Sequence, residues 1–391
     1  MANLLEKASI VLTPTGYSRD AIHNVKPSSE PFGDMALRQD GTTTRVNASG
    51  LVVDNTTDIP RIDYSKGSGA ILSELSSTNQ IRYSEDFSNV LWTKAAISMT
   101  SSTKTNPRGA SQTVYNITRA PSAGDGLFAS FAFSPTGQGT AVSVWIKRTS
   151  GAGSTGNVWI GYGNQSSGNG NTVAVGNEWQ RIEYKSTGAG GGAIYINPQY
   201  GHYFDVWGAQ GEKGTVSARD GKVSSYMPTT NGTSTRTRDN YNNGGDAALI
   251  GAQEGVLFFE GAALADIGVS RGIALSASNS AANRVALFYR STSNQILCLV
   301  QASAGYISLQ ATGITQTNFN KIAIKYKSGD LALWVNGVEV DTSTQSLTFN
   351  AALSELAFDQ GNGSLHFDGH VKQLAVFKEV LSDAELAALT S

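Results

Sequence analysis

Residues 321–338, KIAIKYKSGDLALWVNGV, decide the fold class. Ile322, Ile324 and Tyr326 occupy every second position, with Lys321, Ala323 and Lys325 between them. That period of two marks a strand with one buried face. Ser328-Gly329-Asp330 then turns the chain into a second apolar run, Leu331-Ala332-Leu333-Trp334-Val335, and Asn336-Gly337 turns it again. Asn-Gly suits a two-residue hairpin turn because both residues accept a positive φ. The same grammar extends outward. Strands are expected at Gly255–Glu260, Arg284–Tyr289 and Gln295–Val300, and upstream at Val114–Ile117, Ala141–Ile146, Val158–Tyr162, Trp179–Tyr184, Ala193–Ile196 and Tyr203–Trp207. Gly/Ser/Asn-rich stretches separate them. The single helix expected is terminal, where Ser382 and Glu385 form a capping-box pair.

Composition agrees with this reading. Only 15 % of the 391 residues are charged, against the usual quarter, while 43 are glycine. Long amphipathic surface helices need Glu, Lys and Arg, so this balance favours an all-β chain with many turns. The formal net charge is −2 and no basic block occurs, which gives nucleic-acid binding little electrostatic support. Cys298 is the only cysteine and sits in an apolar run, so a buried structural thiol is expected and an internal disulfide or cysteine zinc cluster is excluded. The N-terminus carries no signal-peptide pattern, and no run reaches the ~18 apolar residues of a membrane span. The expectation is a protein made in a cytoplasm and not inserted in a membrane.

Five segments follow from patterning. Residues 1–58 hold too few apolar residues for a core of their own and are expected to fold against a partner. Residues 59–78 read as a linker, 79–228 as a first β block, 229–240 as a second linker, and 241–391 as a second β block. The fold class is thus all-β: two antiparallel β-sandwiches, of jelly-roll or concanavalin A-like type, in series after an extended N-terminal segment. Asn177–Ile182 and Asn318–Ile322 echo each other, either from a shared plan or because turn-then-strand sequences are alike.

Several stretches carry a family resemblance. Asn318–Tyr326, Leu333–Val338, Phe367–Phe377 and the closing VLSDAELAALT resemble the laminin-G/concanavalin A-like lectin superfamily. Val144-Trp145-Ile146-Lys147, the Asn177–Arg181 segment, YFDVWGAQ at 203–210 and SSYMPT at 224–229 resemble the carbohydrate-binding-module-like sandwich of phage tail and head fibres. Residues 26–64 and the stretch IPRIDYSKGSGAILSELSSTNQIRYSEDFSNVLW at 59–92 are similar to the N-terminal and linker regions of tailed-phage fibre and adhesin proteins. The resemblance implies a bacteriophage virion protein, a fibre or adhesin on tail or head. It implies attachment to other virion proteins through 1–58, a homotrimer, and binding to host-surface polysaccharide without catalysis. A decoration protein that binds no sugar, and a polysaccharide depolymerase, stay open as alternatives.

Candidate side chains divide by chemistry. Sugars stack their C–H faces on exposed aromatic rings and hydrogen-bond to amides. Trp159, Tyr162 and Asn164, and Asn197, Tyr200 and His202, offer both ingredients near turns and are the candidate ligand-binding residues, against a plain role in core or subunit interface. Trp145, Trp179, Trp207 and Trp334 read as core. No cofactor is required. A bound calcium would draw on Asp330, Asp359 and Asp368, although no calcium-loop motif occurs. His366 and His370 lie four apart, but in a strand that spacing is roughly 13 Å, so packing roles are expected and no metal site is assigned. No G-x-S-x-G elbow is present and no catalytic residue is assigned. Asp205, Glu260 and Asp359 are carboxylates that a depolymerase would have to pair across a cleft.

Overall fold

A computed structural model describes residues 4–18, 21–23, 33–121, 126–130, 140–162, 169–186, 193–213, 223–266, 268–277, 280–303 and 305–391. Among the described residues one α-helix, Asp383–Thr390, and one 3-10 turn, Leu4–Lys7, accompany an otherwise all-β chain. The strands predicted from periodicity are all present, with ends shifted by a few residues. In the 321–338 hairpin Ile322 pairs with Val335 and Ile324 with Leu333. Asn336 and Gly337 both take positive φ, 49° and 86°, as a type I′ turn requires.

The chain forms two compact units, and their boundaries differ from the serial arrangement read from the sequence. The terminal unit comprises Met1–Asp40, Thr56–Leu75 and Arg238–Ser391, and the central unit comprises Gly41–Asn55 and Ser76–Thr237. The segments set apart as 1–58 and 59–78 are therefore shared between the two sandwiches. The physical reason is the one that made 1–58 look incomplete. Ile10, Leu12, Ile22, Met35 and Leu37 have no core of their own and enter the core of the C-terminal sandwich. Ile10–Leu12 pairs with Leu374–Val376, and Ala70–Ser73 pairs with Gly369–Val371 on the same long strand.

In the terminal unit an eight-stranded sheet runs in the order Val338–Ser343, Leu331–Val335, Asn320–Lys327, Glu254–Ala263, Gly369–Phe377, Ala70–Ser73, Arg61–Asp63, with Ile10–Leu12 beside Gly369–Phe377. It encloses the main core with a five-stranded sheet ordered Gly305–Thr312, Gln295–Ala302, Arg284–Tyr289, Arg271–Ser276, Glu355–Ala357. Cys298 is buried in that core, where burial pushes its thiol pKa up, as the sequence implied for a structural thiol. The outer face of the larger sheet is covered as well: Leu381 and Leu386, in and before the helix, pack on Phe258, Trp334 and Phe377.

The central unit is a second antiparallel sandwich. One sheet contains, in order, Ile97–Thr105, Ser111–Arg119, Tyr203–Lys213, Thr140–Ser150 and Gln180–Ser186, with Ser77–Asn79 added at Glu212 and Ser234–Arg236 paired to Ser77–Asn79 in turn. The other contains Trp92–Ala95, Gly126–Ser130, Ala193–Pro198, Gly156–Tyr162 and Gly170–Val175. Ile117, Val144, Ile146, Phe204 and Val206 meet Leu127, Val158, Ile160, Ile194 and Ile196 in the core between them. That interleaving of two inner faces is the packing of a β-sandwich.

Candidate functional site

Alternation fixes which residues of the central unit's larger sheet face away from its core. Ile117, Ile146, Phe204 and Val206 point inward, so Asn116, Lys147, Asp205 and Tyr203 lie on the opposite face. Register then aligns them. Asn116 pairs with Asp205, and Asp205 with Lys147, giving one row across three strands. Thr118 pairs with Tyr203 in the next row, beside a bulge at Arg148–Ser150 that carries Thr149.

The first row is a fixed polar array. Asp205 is buried at 1 % exposure, which would be costly for an unpaired carboxylate. Lys104 Nζ donates to Asp205 Oδ1 at 2.7 Å and Oδ2 at 3.0 Å, Asn116 Nδ2 donates to Oδ1 at 2.9 Å, and Lys147 Nζ stands 4.0 Å from Oδ2. Asn116 Nδ2 also reaches Thr149 Oγ1 at 3.0 Å, so both of its amide hydrogens are used. Its Oδ1 remains an acceptor for a ligand hydroxyl. The Lys147 ammonium lies 5.0 Å from the centre of the Trp179 ring, a cation–π contact that holds the side chain along the sheet.

The second row supplies aromatic surface. Tyr203 is 44 % exposed and Tyr200, in the preceding turn, 59 %. Between them His202 is buried and stacks on Phe204 at 6.3 Å. Arg148 Nε donates to His202 Nδ1 at 3.3 Å, which fixes the orientation of the imidazole ring. Gly151, at φ 127°, has no room for a side chain there, since a Cβ would fall 2.5 Å from His202 Nδ1.

The six ligand-binding residues expected from the sequence therefore separate. Tyr200 is an exposed ring, and His202 is a buried support beside it. Trp159 is 7 % exposed, its indole flat against Gly170, where a Cβ would meet it at 2.2 Å. Tyr162 points into the core side against Tyr184, with ring centres 5.9 Å apart, and Asn197 is buried opposite Trp159. These three form no exposed platform: Tyr162 faces the core, and Trp159 and Asn197, which alternation leaves outside it, are buried all the same. Asn164 lies outside the described residues. Asn116, Lys147, Thr149 and Tyr203, which complete this face, were not among the six. The available signal was the charged Asp205 inside the otherwise apolar run Tyr203–Trp207, since a carboxylate there needs partners on the neighbouring strands.

The remaining candidates serve local structure. Asp330 pairs with Lys325 at 2.7 Å, Asp359 accepts the Gly361 amide at 2.6 Å, and Asp368 pairs with Arg238 at 2.8 Å, so these three are not gathered around a common point. His370 is buried 3.3 Å from Asp63, and His366 is half-buried with its pKa lowered by burial and by Arg238. Among the described residues no group of three or more His, Cys, Asp or Glu is placed to hold a metal. Glu260 stands 3.6 Å from Lys372 in the terminal unit, whereas Asp205 belongs to the central one. Trp145 and Trp179, read as core, are half-buried on the outer face around the buried Trp207 and Tyr226.

The family match falls in the terminal unit. Residues 265–387 match the concanavalin A-like lectin/glucanases superfamily, under the family name Laminin_G_3. No curated protein matches the chain. Among solved structures, the CBM40 module of the Ruminococcus gnavus IT-sialidase bound to α2,3 sialyllactose is 16 % identical, with 37 % of this chain and 86 % of that chain covered, at a TM-score of 0.32. Domain 4 of AbnA, a GH43 extracellular arabinanase from Geobacillus stearothermophilus in complex with arabinotriose, is 13 % identical, covering 44 % and 82 %, at 0.32. At these TM-scores the likenesses carry nothing about ligand or activity.

Proposed function

We propose that the chain binds glycans without catalysis, and that it does so as a bacteriophage fibre or adhesin displayed on the virion. The observation that carries glycan binding is the outward row Asn116–Asp205–Lys147 beside the exposed rings of Tyr203 and Tyr200. It combines a fixed hydrogen-bonding array with apolar ring faces, the two components of sugar recognition. The superfamily match over 265–387 supports the lectin-like part of this reading. The phage assignment draws on the sequence stretches 59–92, 203–210 and 224–229. As a fibre, the protein would be a homotrimer joined to other virion proteins, and weak single sites would act together through repeated copies.

The test is a glycan array probed with the full chain, folded and of defined oligomeric state, and with Tyr203→Ala. Binding that falls about 10-fold or more in the variant is expected. No binding by the wild type overturns the glycan reading. Proteomics of purified phage particles tests the virion assignment. A second reading, a decoration protein that binds no sugar, draws on the burial of Trp159 and Tyr162, which removes two of the expected platform rings from solvent. Phage particles that carry the protein and still adsorb normally without it would favour that reading.

A further inference from the structure

The face around Asp205 has a charge as well as a shape. Lys104 and Lys147 gather there against one carboxylate, Asp205. Lys104 binds both oxygens of Asp205 and so neutralises it. Lys147 is left over: its ion-pair contact among the described residues is with Asp205, at 4.0 Å, and its side chain is a quarter exposed. An ammonium held by the Trp179 ring is a ready donor of charge-assisted hydrogen bonds, roughly twice as strong as neutral ones. A general excess of basic residues does not explain such a field, since the formal net charge of the whole chain is −2.

Building on the glycan reading above, we propose that this face selects acidic polysaccharide. Lys147 Nζ takes an anionic substituent, carboxylate or phosphate, and Asn116 Oδ1 takes a hydroxyl of the same or the next sugar. Tyr203 lies under a neighbouring ring, one row or ~7 Å further along the strand. Asp205 is the positioning residue, because it holds Lys104, Asn116 and, at longer range, Lys147.

The experiment compares three probes against the full chain by calorimetry: a uronic-acid polysaccharide, the same polymer after carboxyl reduction, and a phosphodiester-linked polymer. Selection predicts at least a tenfold preference for one of the anionic polymers over the reduced one, and which anionic polymer binds names the substituent. The preference should weaken as salt rises from low to physiological ionic strength. Lys147→Gln should bring acidic and reduced polymers within about threefold of each other, and Lys147→Arg should restore most of the difference. Equal wild-type binding of the uronic-acid polymer and its reduced form, with no binding of the phosphodiester polymer, overturns acidic selection while leaving glycan binding intact. A preference unchanged in Lys147→Gln also overturns it. Failure of the folded wild type to bind any of the three overturns selection by this face, and a blank glycan array distinguishes loss of the whole glycan reading from loss of its acidic part.

Discussion

The two sandwiches treat their outer faces in opposite ways. In the terminal unit the larger sheet is covered on both sides, by the core and by the C-terminal helix. Its central strands accordingly read as near-continuous apolar runs: Val256 to Phe259 and Leu331 to Val335 are buried without a break. In the central unit Val144 to Lys147 alternate between buried and half-buried, and Asn116, Lys147 and Tyr203 on the outward side keep contact with water. A continuous run signals a sheet covered twice, whereas alternation leaves a face on which a ligand site can be built.

The units differ too in how they hold charge. Arg61 in the terminal unit is 1 % exposed, donating to Glu74 Oε2 at 2.5 Å and to Asp239. Burial alone would lower its pKa, but Asp239 and Glu74 outweigh burial and raise it. Removing one partner of such a buried set strands the others. Arg61→Ala should therefore destabilise the terminal unit by about 3–5 kcal/mol, the largest effect expected here. Denaturant unfolding followed by hydrogen exchange in Glu254–Ala263 measures it. The comparison in the central unit is Lys104→Ala. Lys104 is 35 % exposed, so solvent can replace it at Asp205, and a loss near 1 kcal/mol is expected. Losses of equal size would break the contrast.

Covered faces should also be the costly ones to truncate. Phe258 is 1 % exposed beneath the C-terminal helix, and Phe258→Ala should cost about 3–4 kcal/mol through lost burial and a residual cavity. A loss below about 1 kcal/mol would mean that the helix does not stay on the sheet in solution. Acid sharpens the same distinction. Burial pushes the Asp368 carboxyl up to about 6, against the pull of Arg238 and Arg271, and from 3.8. Its folded-state pKa is raised, so the stability it contributes is complete below about 3.8 and is lost as pH rises through about 6. Between those values the folded state takes up a proton that the unfolded state does not. Asp368→Asn should therefore stabilise the terminal unit at pH 7 by roughly 1–3 kcal/mol and flatten its stability profile between pH 4 and 6. A destabilised variant at pH 7 would show that the Arg238 ion pair outweighs the cost of burying the charge.

Much of this architecture could be read from local pattern. The 321–338 hairpin, the other strands and the Ser382–Glu385 pair, in which Glu385 Oε2 accepts the Ser382 amide at 2.9 Å, depend on residues close in sequence. The interleaving of the units could not be read that way. It depends on Ile10–Leu12 finding Leu374–Val376, and three apolar residues carry no mark of a partner so distant. The candidate site was half legible for a related reason. Alternation tells which residues share a face, but not whether another segment lies on it. Hence Trp159 and Tyr203, both outward by period, end at 7 % and 44 % exposure.

Tyr203→Ala closes the scale and tests the comparison most directly. On an open face the ring touches little, so its removal should change stability by no more than about 0.5 kcal/mol. Thr149 Oγ1 reaches the backbone carbonyl of Tyr203, and the Thr118–Tyr203 pairing is likewise made by the backbone, so the strand survives the substitution. Binding should respond differently, because a stacked sugar loses the ring face altogether. Thermal melts beside glycan titrations of the same variant separate the two roles. An unchanged melting curve with lost binding identifies Tyr203 as a ligand contact. A large fall in stability would place the ring in the folded framework and return this face to the same class as the covered sheet of the terminal unit.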